Sequence, residues 1–170
     1  RHQSLVVGAT EDVRRILGDC EVQRATFFET DARGFKPTPG SGQGLGPTIL
    51  MLGDAFTEGL YVKPEETFVT RFADKLTGAG LTGKPQNLGV NGFSALEMTW
   101  MVEAFAFELD AAVVVANLFP NDVHARYNDV VQGRGAGEDD YRERFSYLDR
   151  MREQCAELDC LFVVSLIPSK

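Results

Sequence analysis

Four short segments of the chain have the pattern of buried strands, and stretches with helical spacing separate them. The strand-like segments are residues 48–52, 86–90, 111–118 and 160–167. Continuous apolar runs such as Ile49-Leu50-Met51-Leu52 and Ala111-Ala112-Val113-Val114-Val115-Ala116 read as strands buried on both faces, as in a parallel sheet. After the first segment, Pro64 starts a helix at its preferred first position, with Glu65 and Glu66 in the positive first turn. Phe68, Phe72, Ala73 and Leu76 recur at helical spacing, and Gly78 and Gly80 end that helix. Ser94-Ala95-Leu96-Glu97 reads as a capping box opening a helix to about residue 109, with Leu96, Trp100 and Ala104 as its apolar stripe. A polar insertion covers residues 128–137. The acidic first turn Glu138-Asp139-Asp140 then opens a helix whose apolar face carries Tyr141, Phe145, Leu148, Met151, Cys155 and Leu158. Alternation of buried strands with amphipathic helices predicts a parallel sheet between helical layers, a three-layer α/β/α sandwich.

Residues 1–47 lack this regularity and read as an irregular lead-in. Ser4-Leu5-Val6-Val7-Gly8 suggests a short strand, residues 11–17 one or two helical turns, and Phe27-Phe28 a packing anchor. Pro37, Pro39, Gly40, Gly42, Gly44, Gly46 and Pro47 then crowd together as a loop. The α/β domain is expected over residues 48–170. It ends on a strand stopped by Pro168, where a sandwich of this type continues with a further helix and strand, so the fold reads as cut short at Lys170.

Composition narrows the function classes. The chain has 170 residues, 44% of them hydrophobic, which suits one domain with a real core. Its 17 basic and 25 acidic residues give a net charge of −8, which disfavours nucleic acid and anionic membrane surfaces as partners. No apolar run approaches the roughly 18 residues needed to span a bilayer. No signal peptide is present in these residues. The chain starts at Arg1 rather than Met, however, so it reads as a processed or trimmed piece, and an extracytoplasmic location is left open. The three cysteines, Cys20, Cys155 and Cys160, have no metal or disulfide spacing and read as buried free thiols. No cofactor is expected. Neither a P-loop nor a Gly-x-Gly-x-x-Gly helix opening is present, and Asp54, Asn121 and Asp122 lack the partners of a metal site.

The candidate chemistry lies where the first buried strand ends, in Gly53-Asp54-Ala55-Phe56-Thr57-Glu58-Gly59. Open α/β sheets place their ligands at the carboxyl ends of strands. This stretch resembles the first block of the SGNH (GDSL-type) hydrolases, Gly-Asp-Ser-Phe-Thr-x-Gly, with Ala55 where the family has its nucleophilic serine. Asn87-x-Gly-x-x-Gly resembles the second block and places Gly92 on the family's oxyanion glycine. Phe119-Pro120-Asn121-Asp122 resembles the third, with Asn121 on the oxyanion amide and Phe119 in place of the usual glycine. Glu29-Thr30-Asp31-Ala32-Arg33-Gly34-Phe35 is similar to the lead-in of many bacterial members, and it also fits a plain turn with a buried Phe. The fourth block, Asp-x-x-His, is absent. His124 has no Asp three positions before it and ranks as a polar loop residue ahead of a substitute base.

The resemblance implies a flavodoxin-like sheet of the SGNH type and an ester hydrolase or O-acyl transferase. A small acyl ester or an acylated carbohydrate would be its substrate. Ala55 N–H, Gly92 N–H and the Asn121 amide would hold the oxyanion, with Gly53, Asp54 and Asp122 in support. A methyl group cannot attack a carbonyl, and loss of the nucleophile typically costs several orders of magnitude in rate, so the chain as written is expected to be close to inert. An engineered serine-to-alanine trap and a natural pseudo-enzyme that binds an acylated glycan both fit. A generic flavodoxin-like domain, in which the Gly-Asp and Asn-Asp turns only end strands, is the competing reading.

Overall fold

The computed structural model describes residues 5–7, 26–28, 30–40, 46–119, 122 and 138–167. Strands β1 (Leu5–Val7) and β2 (Thr26–Phe28) pair antiparallel. The main sheet has four strands: β3 (Thr48–Gly53), β4 (Lys84–Gly89), β5 (Ala111–Leu118) and β6 (Leu161–Leu166). Their order is β4-β3-β5-β6 and every pairing is parallel. Parallel neighbours require crossovers, and helices supply them. Helices α1 (Ala55–Glu58) and α2 (Phe68–Gly78) lie between β3 and β4, α3 (Ala95–Phe105) between β4 and β5, and α4 (Glu138–Glu157) before β6.

The two faces of β3 explain the layering. Leu50 and Leu52 join Leu88, Val114, Ala116 and Leu118 in a core with Met98 and Val102 of α3 and Met151 and Cys155 of α4. Ile49 and Met51 point the other way, into a smaller core with Val69, Phe72 and Leu76 of α2. Side chains alternate across a strand, so a strand apolar at every position feeds both cores. The chain moves from β3 to β4 on one side of the sheet and then crosses to β5 on the other. That reversal is the topological switch point of an open α/β sheet, and its crevice lies at the carboxyl ends of β3 and β5.

Several expectations needed correction. Pro64–Glu66 forms a separate 3-10 turn, and α2 starts only at Phe68, because Thr67 Oγ1 accepts the Thr70 N–H and caps it there. The buried face of α3 is Ala95, Met98, Thr99 and Val102. Trp100 is 52% exposed and Ala104 is exposed, so the Leu96-Trp100-Ala104 stripe was the wrong face. This helix is apolar nearly all round, so its periodicity does not select a face. On α4, Met151 and Cys155 are buried and Leu148 partly so, whereas Phe145 is exposed and Leu158 follows the helix end at the surface. Leu161 and Leu166 on β6 are exposed, since this strand has β5 as its only neighbour among the described residues. Cys155 and Cys160 are buried free thiols, and burial pushes the Cys155 thiol up to about 12. Residues 11–17, the 128–137 insertion and Cys20 lie outside the described residues.

The lead-in packs onto the sheet. Asp31 Oδ1 accepts the N–H groups of Arg33 (2.9 Å) and Phe35 (3.0 Å), closing a turn at Gly34, whose φ of 91° suits glycine. The turn delivers Phe35 into the larger core, edge-on to Phe105 at 4.9 Å, and the next residue, Lys36, bridges to Asn87.

Candidate active site

Three turns meet at the carboxyl edge of the sheet. The first follows β3. Asp54 is buried and caps α1, its Oδ1 accepting the Phe56 N–H at 2.9 Å. Gly53 precedes it with φ 158°, and a Cβ there would overlap Thr57 Oγ1, so only glycine lets the chain fold back this tightly. Ala55 is the first residue of α1 and is partly exposed. As a first-turn amide, its N–H has no helical carbonyl to bond.

The second turn follows β4 and is tied to the first. Val90 N–H donates to Gly53 O at 3.0 Å, and Asn91 N–H donates to Glu58 Oε2 at 2.8 Å. Asn87 is buried. Its Oδ1 accepts the Gly89 N–H at 3.1 Å and its Nδ2 reaches Glu58 O at 3.4 Å. Gly92 sits at φ 84° on the surface, with nothing within 4 Å of where a Cβ would be.

The third turn follows β5. Asn117 Nδ2 donates to Leu52 O at 2.9 Å and locks the ends of β5 and β3 together. Phe119 N–H donates to Asp122 Oδ2 at 2.8 Å and Asp122 N–H to Phe119 O at 2.9 Å, while Arg144 of α4 donates to Asp122 O at 3.0 Å. The Phe119 ring stacks on Phe56 with centroids 4.3 Å apart and planes 23° from parallel. Phe56 remains 52% exposed, so the stack forms an apolar wall next to residue 55. Of the sequence-derived candidates, Gly53, Asp54, Ala55, Gly92 and Asp122 stand along this edge. Asn121 and His124 lie outside the described residues.

Burial raises the Asp122 carboxyl to about 7. The Phe119 N–H and Arg144 oppose the shift, and the nearby Asp54 charge adds to it. Its Oδ1 has no partner among the described residues. An unfolded aspartate titrates near 3.9, so between about pH 4 and pH 7 the folded chain binds the extra proton and stability falls as pH rises. The contribution is fully present below the unfolded value and lost above about 7. Asp122→Asn keeps an acceptor for Phe119 N–H and removes the buried charge. Relative to the parent, it is expected to gain on the order of 2 kcal/mol at pH 8 and almost nothing at pH 4. Urea denaturation at both pH values checks this, and an equal difference at the two would refute it.

Sequence reasoning missed Glu58 and Lys36. Both are buried. Burial raises Glu58 above the ordinary carboxylate range, against the Asn91 N–H and the Lys36 charge, and burial lowers Lys36 against the Glu58 charge. The one sequence signal was a second acidic residue, Glu58, in the same short turn as Asp54. Among the described residues, no group of three or more His, Cys, Asp or Glu side chains is placed to hold a metal. None of the helices there is long and apolar enough to cross a membrane.

No family model matches the sequence, and no curated protein matches it. Solved structures match the fold. TesA matches with a TM-score of 0.55 at 18% identity, over 69% of this chain and 58% of that one. The psychrotrophic esterase EstA from Pseudoalteromonas sp. matches with a TM-score of 0.55 at 16% identity, over 73% and 63%. A G-D-S-L-family protein from Desulfitobacterium hafniense DCB-2 matches with a TM-score of 0.54 at 13% identity, over 74% and 62%. The match thus spans 58% to 63% of the length of these structures. The four-stranded parallel sheet with its helices matches the α/β fold of these structures.

Proposed function

We propose that this chain is the ester-binding core of an SGNH-type ester hydrolase or O-acyl transferase in which Ala55 stands at the nucleophile position, leaving binding without turnover. One observation carries the reading. The turns after β3 and β4 are joined by the Val90 N–H to Gly53 O bond (3.0 Å) at the carboxyl edge of the sheet, beside its switch point. On this reading Ala55 N–H and Gly92 N–H would be the oxyanion donors, and the turns that carry them are the two joined by that bond. Backbone donors held rigidly before the reaction are what an acyl-transfer site needs, since they need no rearrangement as charge develops. The acyl or sugar part of the ester would rest on the Phe56–Phe119 stack, which offers apolar surface and no charge. A site with Asp54, Glu58 and Asp122 buried around it favours a neutral ligand over an anionic one.

The second reading is a natural binding module for an acylated carbohydrate, and the half-exposed aromatic stack favours it. Because Ala55 cannot attack, binding of an intact ester can be followed directly. Titration of the protein with an acetyl ester and with an O-acetylated pyranoside is expected to shift the backbone amide resonances of Ala55 and Gly92. No shift with either ligand would sink both readings. The codon at position 55 of the natural gene separates an engineered trap (serine) from a pseudo-enzyme (alanine).

A further inference from the structure

We infer that Glu58, steadied by Lys36, is a positioning residue that fixes the Asn91–Gly92 turn relative to residue 55. The inference deepens the ester-binding reading and rests on it for the task it gives that turn. Glu58 is buried at the last position of α1, and its side chain crosses to the next strand's turn, where Oε2 accepts the Asn91 N–H at 2.8 Å. Its own N–H bonds Asp54 O at 2.9 Å and its carbonyl accepts from Asn87 Nδ2 at 3.4 Å. One residue therefore touches the residue before position 55, the strand β4, and the residue before Gly92. A buried carboxylate is costly unless it is hydrogen-bonded and faced by a cation. Lys36 supplies that cation from the lead-in. It is buried, its Nζ donates to Gly59 O and, at 2.6 Å, to Val62 O, and its charge acts on Glu58 through space. Asp54 is the other charged group that bears on Glu58.

Without Glu58 the turn would keep its own Phe93 N–H to Val90 O bond and the Val90 N–H to Gly53 O bond, neither of which ties Asn91 to α1. The Glu58 acceptor on Asn91 N–H ties the turn to α1 and removes its freedom to shift. Gly92, with φ 84° and open space around it, has no packing of its own to fix it. Its direction is inherited from Asn91.

The test compares Glu58→Ala, which deletes the acceptor, with Glu58→Gln, which keeps a neutral one. Two readouts are taken on the Ala55 protein: amide hydrogen exchange by residue, and affinity for an acetyl ester. Glu58→Ala is expected to speed exchange at Asn91 tenfold or more beyond any change at β3 and β5 amides, and to weaken ester binding at least fivefold. Glu58→Gln is expected to stay within about threefold of the parent in both. Exchange that rises equally over the whole chain means a fold effect alone and overturns the inference. So does local loosening with ester affinity unchanged. If the parent itself binds no ester, the functional reading fails, and positioning by Glu58 then stands or falls on the exchange pattern.

Discussion

Ala55→Ser, made in a chain that also carries an Asp-x-x-His base, is expected to raise hydrolysis of a small acetyl ester by several orders of magnitude over the parent. On the proposed reading, position 55 would carry the nucleophilic hydroxyl. Residue 55 is the first of α1, partly exposed, at the carboxyl end of the central strand. Its neighbours Asp54 and Phe56 are held by the cap bond at 2.9 Å, so an added oxygen would be carried on a rigid turn. A serine still needs a base. No Asp-x-x-His occurs among the 170 residues, and members of a catalytic triad act as a unit, so the same substitution in this chain alone should yield little. The measurement is initial rate on an acetyl ester with and without such a base, with ester affinity in parallel. An Ala55→Ser protein that carries the base, binds the ester and does not turn it over would favour the binding-module reading.

Gly89→Ala is expected to destabilise the fold by about 3 kcal/mol or more, at or beyond the upper end of ordinary overpacking. A Cβ at position 89 would overlap Glu58 N and lie 2.6 Å from Thr57 C. Those are backbone atoms of α1, themselves fixed by the Asp54 cap and the Asn87 side chain, so no side chain can swing aside. Gly92→Ala is the internal control. It meets nothing within 4 Å, and its φ of 84° should cost only about 1–2 kcal/mol. For a chain of this length about 3 kcal/mol corresponds to a fall in Tm of roughly 6–12 °C. Thermal unfolding of both variants gives the answer, and a Gly89→Ala protein within about 1 kcal/mol of the parent would show that α1 yields where rigidity is claimed.

The Gly-Asp turn and the central strands were legible because their determinants are local. Ile49 to Leu52 are apolar at every position, which suits a strand covered on both faces, and Gly53-Asp54 ends it with a residue type that the fold-back demands. The glycine of the second block was legible as a turn residue. Sequence spacing drew attention to Gly92, however, while the close approach of backbone to backbone is at Gly89. Nothing local distinguishes them, since the steric neighbour of Gly89 lies some thirty residues earlier in α1.

By itself, the sequence determined the alternation of strands and helices and the parallel class of the sheet, and it marked the turn over residues 53–59 as a candidate site. Those follow from periodicity and turn residues, which act over a few positions. Only the tertiary structure decided which face of α3 is buried, because an almost wholly apolar helix has no preferred side until a sheet and a second helix are packed against it. It also decided that Glu58 and Lys36 share one buried site, and that Asp122 holds its proton to about 7. Burial sets the energy of a charge, and burial belongs to the assembled chain: the same residues in an extended strand would simply face water.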